Sequence, residues 1–369
     1  MSFSSAACRG FWPALGLLFA VAGVAGASEA RRSEERLLSA RQLAQVIVEN
    51  PAGSIELIGE ARDDLALAVD YRVSGRGAET VRGGAAALRL EASEQDGRLR
   101  LRPVHAERDI DGPRPASLAG AELSIAIRLR LPARLPVAAS VTRDKLVASG
   151  LAGDLVVAAT SGDIELRRLA GRLEAGLTSG FLRASDVARD VAVTTTSGSI
   201  DLRRIGGDAE LRSISGEIRV EALAGDLTVE TSTGDLMLIA PRGRVEVLSA
   251  SGAVAIREPG GDLKVNCASG ALSVVDLGPR PDGAPRDVFL ANSSGDVELL
   301  LLPGADYAFE AVTDLGAMQL RIPLQVEALG RRRVAGLLGA GQGQLKVVTA
   351  TGDIRIALAS EATRTAPQR

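Results

Sequence analysis

The chain has 369 residues, and its 43 Lys and Arg against 46 Asp and Glu give a net charge of −3, too balanced for a nucleic-acid-binding surface. Glycine is abundant, with 41 residues, whereas aromatic residues make up only 2% and there is a single histidine. One histidine excludes the common histidine-based metal sites and most pairs of a nucleophile with a histidine base.

The N-terminus has the pattern of a targeting segment. Arg9 precedes an apolar run over residues 11–24, and small residues at 25–27 come directly before a polar stretch. This order predicts a secretory signal peptide over residues 1–27. The alternative is an uncleaved anchor, although the run is shorter than the roughly 20 residues that a spanning helix needs. Cleavage would leave Cys267 as the only cysteine and therefore no intramolecular disulfide.

Short stretches between residues 41 and 140 indicate β-strands. A polar segment over 28–40 comes first and is expected to be a linker. The stretches that follow alternate in polarity or run apolar between turn residues, at 44–49, 54–59, 65–73, 88–91, 99–104 and 123–131. They predict an irregular N-terminal β section over 41–140.

A hydroxyl residue followed by glycine recurs every 18 residues in the middle of the chain. Seven consecutive pairs keep this spacing: Ser161-Gly162, Ser179-Gly180, Ser197-Gly198, Ser215-Gly216, Thr233-Gly234, Ser251-Gly252 and Ser269-Gly270. An insertion over 279–286 breaks the phase, and further copies stand at Ser294-Gly295 and Thr351-Gly352. A second glycine series lies nine residues away, with Arg189 as its exception. Each unit therefore has two halves that open on a turn, where glycine accepts φ > 0 without a Cβ clash.

Apolar residues alternate with charged or small ones within each half. After the first turn, the first inward position holds Ile164, Leu182, Ile200, Ile218, Leu236, Val254 and Leu272. This period of two indicates half-buried strands. The repeat predicts an all-β fold, a flattened β-solenoid with 18-residue coils and two strands per coil, stacked about 4.8 Å apart. A β-sandwich with regular hairpins is the alternative, but it has no reason to keep one phase over seven units.

The predicted organisation has six parts, and the N-terminal β section is expected to cap the solenoid, because end strands expose unpaired backbone groups. The parts are a signal peptide (1–27), a linker (28–40), the N-terminal β capping section (41–140), regular solenoid repeats (141–300), irregular C-terminal β repeats (301–358) and a disordered tail (359–369).

The repeat unit resembles a bacterial family of β-strand-repeat proteins of unknown function that is often labelled putative adhesin. The similarity rests on the unit at 160–166 with the Leu-Ala-Gly of 169–171, on an opening strand pair at 51–59 and on an apolar, proline-containing stretch at 125–136. It covers roughly residues 40–358. The resemblance implies a β-solenoid and an adhesin-like role, and it supplies no catalytic residues.

The aspartates of the turns could form a calcium site. Aspartates occupy both turns, as in some calcium-binding repeats, but the first-turn column also holds Phe181, Ala253 and Ala271, so it lacks the stacked carboxylates that calcium requires. We interpret them as residues that cap their own turns. The first-turn aspartates are Asp163, Asp235, Asp296 and Asp353, and those of the second turn are Asp154, Asp190, Asp208, Asp226 and Asp262.

A column of outward glutamates could instead cleave polysaccharides. Glu174, Glu210 and Glu246 fall at alternate coils, about 9.6 Å apart, the wide edge of an inverting glycosidase geometry. No aromatic platform for a sugar accompanies them, so we interpret the column as a solvated face.

The remaining candidates have simpler structural interpretations. Cys267 stands in a column of small residues and is expected to be buried, and His105 has no metal-binding or catalytic neighbours in the sequence. The basic run 331–333 is expected to be a solvated loop that could touch anionic envelope polymers. The recurrent hydroxyls could form a ligand-binding ladder, but Ser and Thr in turns also bond to the backbone, and we favour that role.

The sequence therefore predicts no catalytic, cofactor-binding or metal-binding residues and no cofactor. We expect an exported, non-enzymatic β-solenoid in the periplasm or at the cell surface, acting as an adhesin-like binding module on an unknown envelope or surface partner. It would bind no nucleic acid and keep no transmembrane segment after signal cleavage. One alternative is a periplasmic scaffold that self-associates end to end, and another is a polysaccharide-active enzyme.

Overall fold

The computed structural model describes residues 15–24, 27–105, 108–109, 121–280 and 282–359. Contacts divide the chain into two compact units, with the boundary between Asp144 and Lys145. The predicted signal peptide lies partly outside the described residues, as does all but the first residue of the predicted tail. Within the range predicted as a signal peptide, Leu15–Val24 is a strand paired antiparallel with the next strand, which begins at Ala27.

The N-terminal unit contains ten strands and one helix among its described residues. They are β1 (Leu15–Val24), β2 (Ala27–Ser39), β3 (Gln45–Asn50), β4 (Ile55–Glu60), β5 (Asp64–Gly75), α1 (Ala78–Ala87), β6 (Leu88–Gln95), β7 (Arg98–His105), β8 (Arg108–Asp109), β9 (Glu122–Pro132) and β10 (Val137–Val141). One sheet has the order β1-β2-β5-β9-β4, antiparallel except for β9 and β4. In the other, β10, β3 and β7 are parallel, and β6 and β8 pair antiparallel with β7.

Two elements of this unit differ from the prediction. The expected linker over 28–40 is instead strand β2, paired with β5 along its length. Its period of two is hidden in the sequence because the half-buried and buried positions between Ala30 and Leu38 carry charged residues. The helix α1 has no counterpart in the predicted elements, because Gly83 and Gly84 disfavour a helix.

The second unit is a solenoid of two parallel sheets. The first sheet contains β11 (Leu146–Ser149), β13 (Ile164–Leu169), β15 (Phe181–Val187), β17 (Ser199–Ile205), β19 (Ile218–Leu223), β21 (Leu236–Ile239), β23 (Val254–Arg257), β25 (Leu272–Leu277), β27 (Val297–Leu301), β29 (Met318–Arg321) and β33 (Ile354–Leu358). The second sheet contains β12 (Leu155–Ala159), β14 (Leu173–Leu177), β16 (Val191–Thr195), β18 (Ala209–Ser215), β20 (Leu227–Thr233), β22 (Val245–Ser251), β24 (Leu263–Ser269), β26 (Asp287–Ser294), β28 (Tyr307–Thr313), β30 (Gln325–Leu329), β31 (Arg333–Leu338) and β32 (Gly343–Thr351).

The register confirms the predicted 18-residue coil. Ile164 lies opposite Leu182, and Leu182 opposite Ile200, and the same offset links the strands of the second sheet. The insertion at 279–286 lengthens one step, so that Leu263 faces Val288. The predicted inward residues of both sheets are buried. The all-β solenoid with two strands per coil is therefore confirmed.

The two series need glycine for different physical reasons. The sequence pattern predicted one reason for both, namely that glycine accepts φ > 0. In the hydroxyl–glycine series, Gly234 has φ +125°, and a Cβ built there would lie 2.1 Å from the Gly216 carbonyl oxygen. In the other series, Gly243 has no positive φ, but a Cβ would lie 2.3 Å from the Gly225 oxygen. The second series is required by the close approach of successive coils and not by backbone conformation.

A left-handed residue recurs once per coil at the end of the first-sheet strands. The column contains Arg168, Asp186, Arg204, Ala222, Ala240, Glu258 and Asp276, all with φ between 50° and 60°. None of these is glycine, so this corner was not visible in the sequence.

The last coil in sequence is not the last in space. Strand β32 pairs with β26 on one edge and with β28 on the other, and β33 lies between β27 and β29. The hairpin β30–β31 then pairs antiparallel with β28 through β31. The C-terminal coil is thus inserted between two coils that precede it in the chain.

Candidate binding groove

The recurrent hydroxyls bond to the backbone, as predicted, but across coils. The Ser179 hydroxyl donates to the carbonyl oxygen of Thr160 at 3.2 Å, and Thr233 donates to Ile214 at 3.1 Å. Each acceptor lies 19 residues earlier, on the preceding coil. The hydroxyl series therefore joins neighbouring coils at their corners.

The turn aspartates also link coils, which differs from the expectation that each caps its own turn. Asp226 accepts the backbone N–H of Arg244 at 2.8 Å, and Asp235 accepts that of Ala253 at 2.9 Å, each on the following coil. Within the described ranges, no three acidic, histidine or cysteine side chains are grouped so as to hold a metal ion.

The three outward glutamates stand in one column at alternate coils. Glu174 faces Ala192, which faces Glu210, and Thr228 separates Glu210 from Glu246. Glu210 is ion-paired with Arg212, and Glu246 is ion-paired with Lys264. These pairings suit a solvated surface better than a pair of catalytic acids.

The other predicted candidates lie apart from one another. Cys267 is buried, and burial raises its pKa to about 11. His105 is buried on β7 of the N-terminal unit, where its Nε2 has no hydrogen-bond partner among the described residues. In the basic run, Arg331 and Arg332 are exposed, and Arg333 pairs with Glu310 at 2.8 Å.

A groove with a volume of about 760 Å³ crosses the outer surface of the second sheet near the ends of its strands. It extends from β16 to β26, five coil steps of about 4.8 Å or about 24 Å. We term it the hydroxyl groove. It is lined by Thr194, Thr195, Thr196, Arg212, Ser213, Ile214, Glu230, Thr231, Ser232, Leu248, Ser249, Ala250, Asn266, Cys267, Ala268 and Ser293.

Small buried side chains lie along the inner side of this groove. Thr195 accepts the backbone N–H of Gly198 at 2.8 Å, and Ser213 and Thr231 donate to turn carbonyls two residues on. Ser249 is different: it is 1% exposed, and its hydroxyl has no hydrogen-bond partner among the described residues. A buried hydroxyl without a partner is costly, so this position suits a buried water.

Two aliphatic side chains project into the groove at positions that alternation assigns to solvent. Ile214 is 59% exposed and Leu248 is 55% exposed. Sequence reasoning missed them because it followed the inward columns. The signal was present, since apolar residues at outward positions break the alternation.

The lining favours binding over bond cleavage. Its one carboxylate, Glu230, lies 3.3 Å from the guanidinium Nε of Arg212. Its thiol, Cys267, stays protonated near neutral pH because burial raises the pKa to about 11. What remains are hydroxyl and amide groups beside aliphatic surface, the mixture typical of a ligand site.

Comparison with known families finds a similarity over part of the chain. Residues 140–259 match the Toastrack DUF4097 family. No curated protein sequence shows significant similarity to the chain. No helix among the described residues combines the length and apolarity needed to cross a membrane.

Three solved structures are similar over most of the chain. A putative cell adhesion protein from Clostridium sporogenes is 8% identical, covering 89% of this chain and 100% of its own, with a TM-score of 0.19. A putative adhesin from Bacteroides fragilis is 11% identical, with coverage of 88% and 96% and a TM-score of 0.30. A putative lipid binding protein from Parabacteroides distasonis is 12% identical, with coverage of 89% and 97% and a TM-score of 0.27. The family match over 140–259, on the solenoid coils themselves, confirms the resemblance to the β-strand-repeat family labelled putative adhesin.

Proposed function

We propose that this protein is an exported, adhesin-like binding module of the cell envelope and that the hydroxyl groove holds its partner. The observation that carries the proposal is the groove itself, a site of about 760 Å³ with the exposed aliphatic side chains of Ile214 and Leu248. Its volume lies within the range usual for ligand sites. The predicted signal peptide and the adhesin label of the family support export and an envelope partner.

The role of the groove is tested by replacing its two exposed aliphatic side chains with charged ones. The variant Ile214→Glu/Leu248→Glu should fold normally, because both side chains are more than half exposed. Retention of the purified chain on intact cells and on isolated envelope fragments should fall at least about tenfold. Val156→Glu is the matched control, an exposed aliphatic on the same sheet outside the groove. Equal retention of the unaltered chain, the double variant and the control would show that the groove does not hold the partner.

Export is tested separately by protease shaving. A chain that is digested on intact cells is at the surface, and one that is digested only after the outer layer is permeabilised is periplasmic. Recovery of the full-length chain from the cytoplasm would contradict the signal peptide and with it the envelope role.

The exposed aliphatics of β30 favour a second candidate, the self-associating scaffold. All five residues of this strand are exposed, with Val326 at 53% and Leu329 at 80%. Exposed aliphatic strands promote association. If this is the function, the sedimentation coefficient rises with concentration, and Val326→Lys/Leu329→Lys abolishes the rise.

A further inference from the structure

The two sheets of the solenoid carry opposite charge on their outer faces. On strands β13, β15, β17 and β19 of the first sheet, the outward and corner positions hold six arginines and four carboxylates. On strands β14 to β22 of the second sheet, the outward positions hold four glutamates and one arginine. A net negative chain therefore has one basic face.

The basic face is built from two arginine pairs on alternate coils. Arg167 and Ser185 are register partners, and Ser185 is in turn the partner of Arg203, so the two arginines stand two coils apart, about 9.6 Å. Each is followed by a second arginine in the left-handed column, Arg168 and Arg204, both with φ 54°. We term each pair an arginine step, so that one step lies on β13 (Arg167 and Arg168) and the other on β17 (Arg203 and Arg204).

The arginine steps differ in how much of their charge is already neutralised. Arg203 binds Asp201 through Nε and Nη2, both at 2.9 Å, and Arg204 binds Asp186 through two nitrogens. Arg167 is 62% exposed, and its nearest carboxylate oxygen, on Glu165, is 3.8 Å away. In the described part of the chain, Arg168 makes no hydrogen bond or ion pair within 4 Å. The step on β13 therefore offers two guanidinium groups to an external anion.

The coil between the steps carries a carboxylate at its left-handed corner, whereas its arginine, Arg183, lies earlier on β15 and binds Asp201 at 3.2 Å. Asp186 lies between Arg168 and Arg204 in the left-handed column. The Arg204 hydrogen bond holds its pKa below the ordinary value, with a smaller contribution from Arg168, so it is ionised at neutral pH. A polymer with closely spaced charges would meet repulsion there, whereas a polymer with widely spaced charges would pass over it.

We infer that the arginine steps form a binding surface for an acidic polysaccharide that carries one carboxylate on every second sugar. The guanidinium fork matches a carboxylate in two parallel hydrogen bonds, so the step on β13 takes one glycan carboxylate directly. The two-coil spacing to the step on β17 is comparable to one disaccharide of an extended glycan, and there the next carboxylate must compete with Asp201 or Asp186 for a guanidinium group. This surface lies on the opposite sheet from the hydroxyl groove and does not depend on it.

The probe is an end-labelled hyaluronan oligosaccharide, in which uronic acid alternates with a neutral sugar, titrated with the purified chain by fluorescence polarisation. A chitin oligosaccharide of equal length is the uncharged control, and inorganic polyphosphate is the densely charged one. We expect hyaluronan to bind, with affinity that falls as salt rises, and polyphosphate to bind more weakly.

Arg167→Gln/Arg168→Gln should weaken hyaluronan binding at least about tenfold, because two charge-assisted contacts are lost. Arg257→Gln is the matched control, since Arg257 is exposed three coils further along the same outward column as Arg203. Asp186→Asn should strengthen polyphosphate binding. The inference is overturned if hyaluronan does not bind, if Arg257→Gln weakens binding equally, or if polyphosphate binds the unaltered chain more tightly. Groove variants should leave hyaluronan binding unchanged, so failure of the groove proposal is distinguishable.

Discussion

At the scale of single residues, the solenoid is limited by how closely one backbone can approach the next. Gly234 combines a positive φ with a position where an added Cβ would fall 2.1 Å from a carbonyl oxygen of the preceding coil. The hydroxyl beside it, on Thr233, bonds to the same preceding coil. The two residues of the hydroxyl–glycine pair thus act together: the glycine allows the coils to approach closely, and the hydroxyl group stabilises that approach with a hydrogen bond.

Gly234→Ala should lower the free energy of unfolding by at least about 2 kcal/mol, because the side chain both strains the backbone and displaces a neighbouring coil. Gly176→Ala is the matched control, since a Cβ there meets nothing within 4 Å and the φ is not positive. Its effect should be neutral or stabilising. Urea denaturation of both variants checks the difference, and equal losses would contradict the close-approach argument.

Cys267 gives a pH-dependent prediction. Its pKa is raised to about 11 by burial, above the value of about 8.5 for a free thiol. The folded state therefore keeps the proton longer than the unfolded state, so stability is full below pH about 8.5 and declines as the pH rises towards 11. We expect Cys267→Ser to reduce this decline in thermal melts between pH about 8.5 and 10, below the range in which the buried tyrosines Tyr71 and Tyr307 add to it.

The same burial should protect the thiol from alkylation in the native chain. Ala268→Cys in a Cys267→Ser background is the control, because position 268 is exposed one residue away. Rapid native labelling of Cys267 would show that the side chain is accessible and would contradict the assigned burial.

At the scale of elements, strands could be predicted from the sequence wherever the inward positions of an alternating segment hold aliphatic residues. The strands from β12 to β27 follow that pattern, and their register and burial were predictable from it. Strand β2 was not, because Glu34 is buried between Arg32 and Arg36 and accepts a hydrogen bond from Tyr71 at 3.2 Å. The hydroxyl groove was missed because attention went to the inward columns, although Ile214 and Leu248 break the alternation at outward positions.

The buried carboxylate of β2 should be essential to its pairing with β5. Glu34→Gln removes the carboxylate with which both Arg32 and Arg36 are ion-paired. It should lower the free energy of unfolding of the N-terminal unit by about 3 kcal/mol. Glu35→Gln is the control, exposed on the next residue, and should change stability by less than about 0.5 kcal/mol. Hydrogen exchange of the β2 and β5 amides measures both, and equal protection in the two variants would refute the role of Glu34.

At the scale of the solenoid unit, the coil is the unit of design. Each coil presents the same inward columns to its neighbours, so stability is close to a sum of coil terms and nearest-neighbour terms. The fold therefore requires the 18-residue spacing, because this spacing keeps the inward columns of successive coils aligned.

Deleting residues 218–235 removes one whole coil and joins Glu217 to Leu236, which occupies the same column as Ile218. We expect this variant to fold cooperatively with a β-rich circular dichroism spectrum and a lower melting temperature. Deleting only residues 218–226 joins Glu217 to Leu227, which belongs to the opposite sheet. This shorter deletion should prevent folding, and a stable product from it would contradict the two-strand coil.

The inserted C-terminal coil has a consequence for the order of assembly. Strands β32 and β33 lie between coils that precede them in the chain and are therefore made earlier. The neighbouring coils can close only after residues 343–358 have been synthesised, because the space between them belongs to these residues. Completion of this end of the solenoid thus reports that translation reached the C-terminal coil, and a prematurely terminated chain would leave unpaired strand edges for quality-control proteases to recognise.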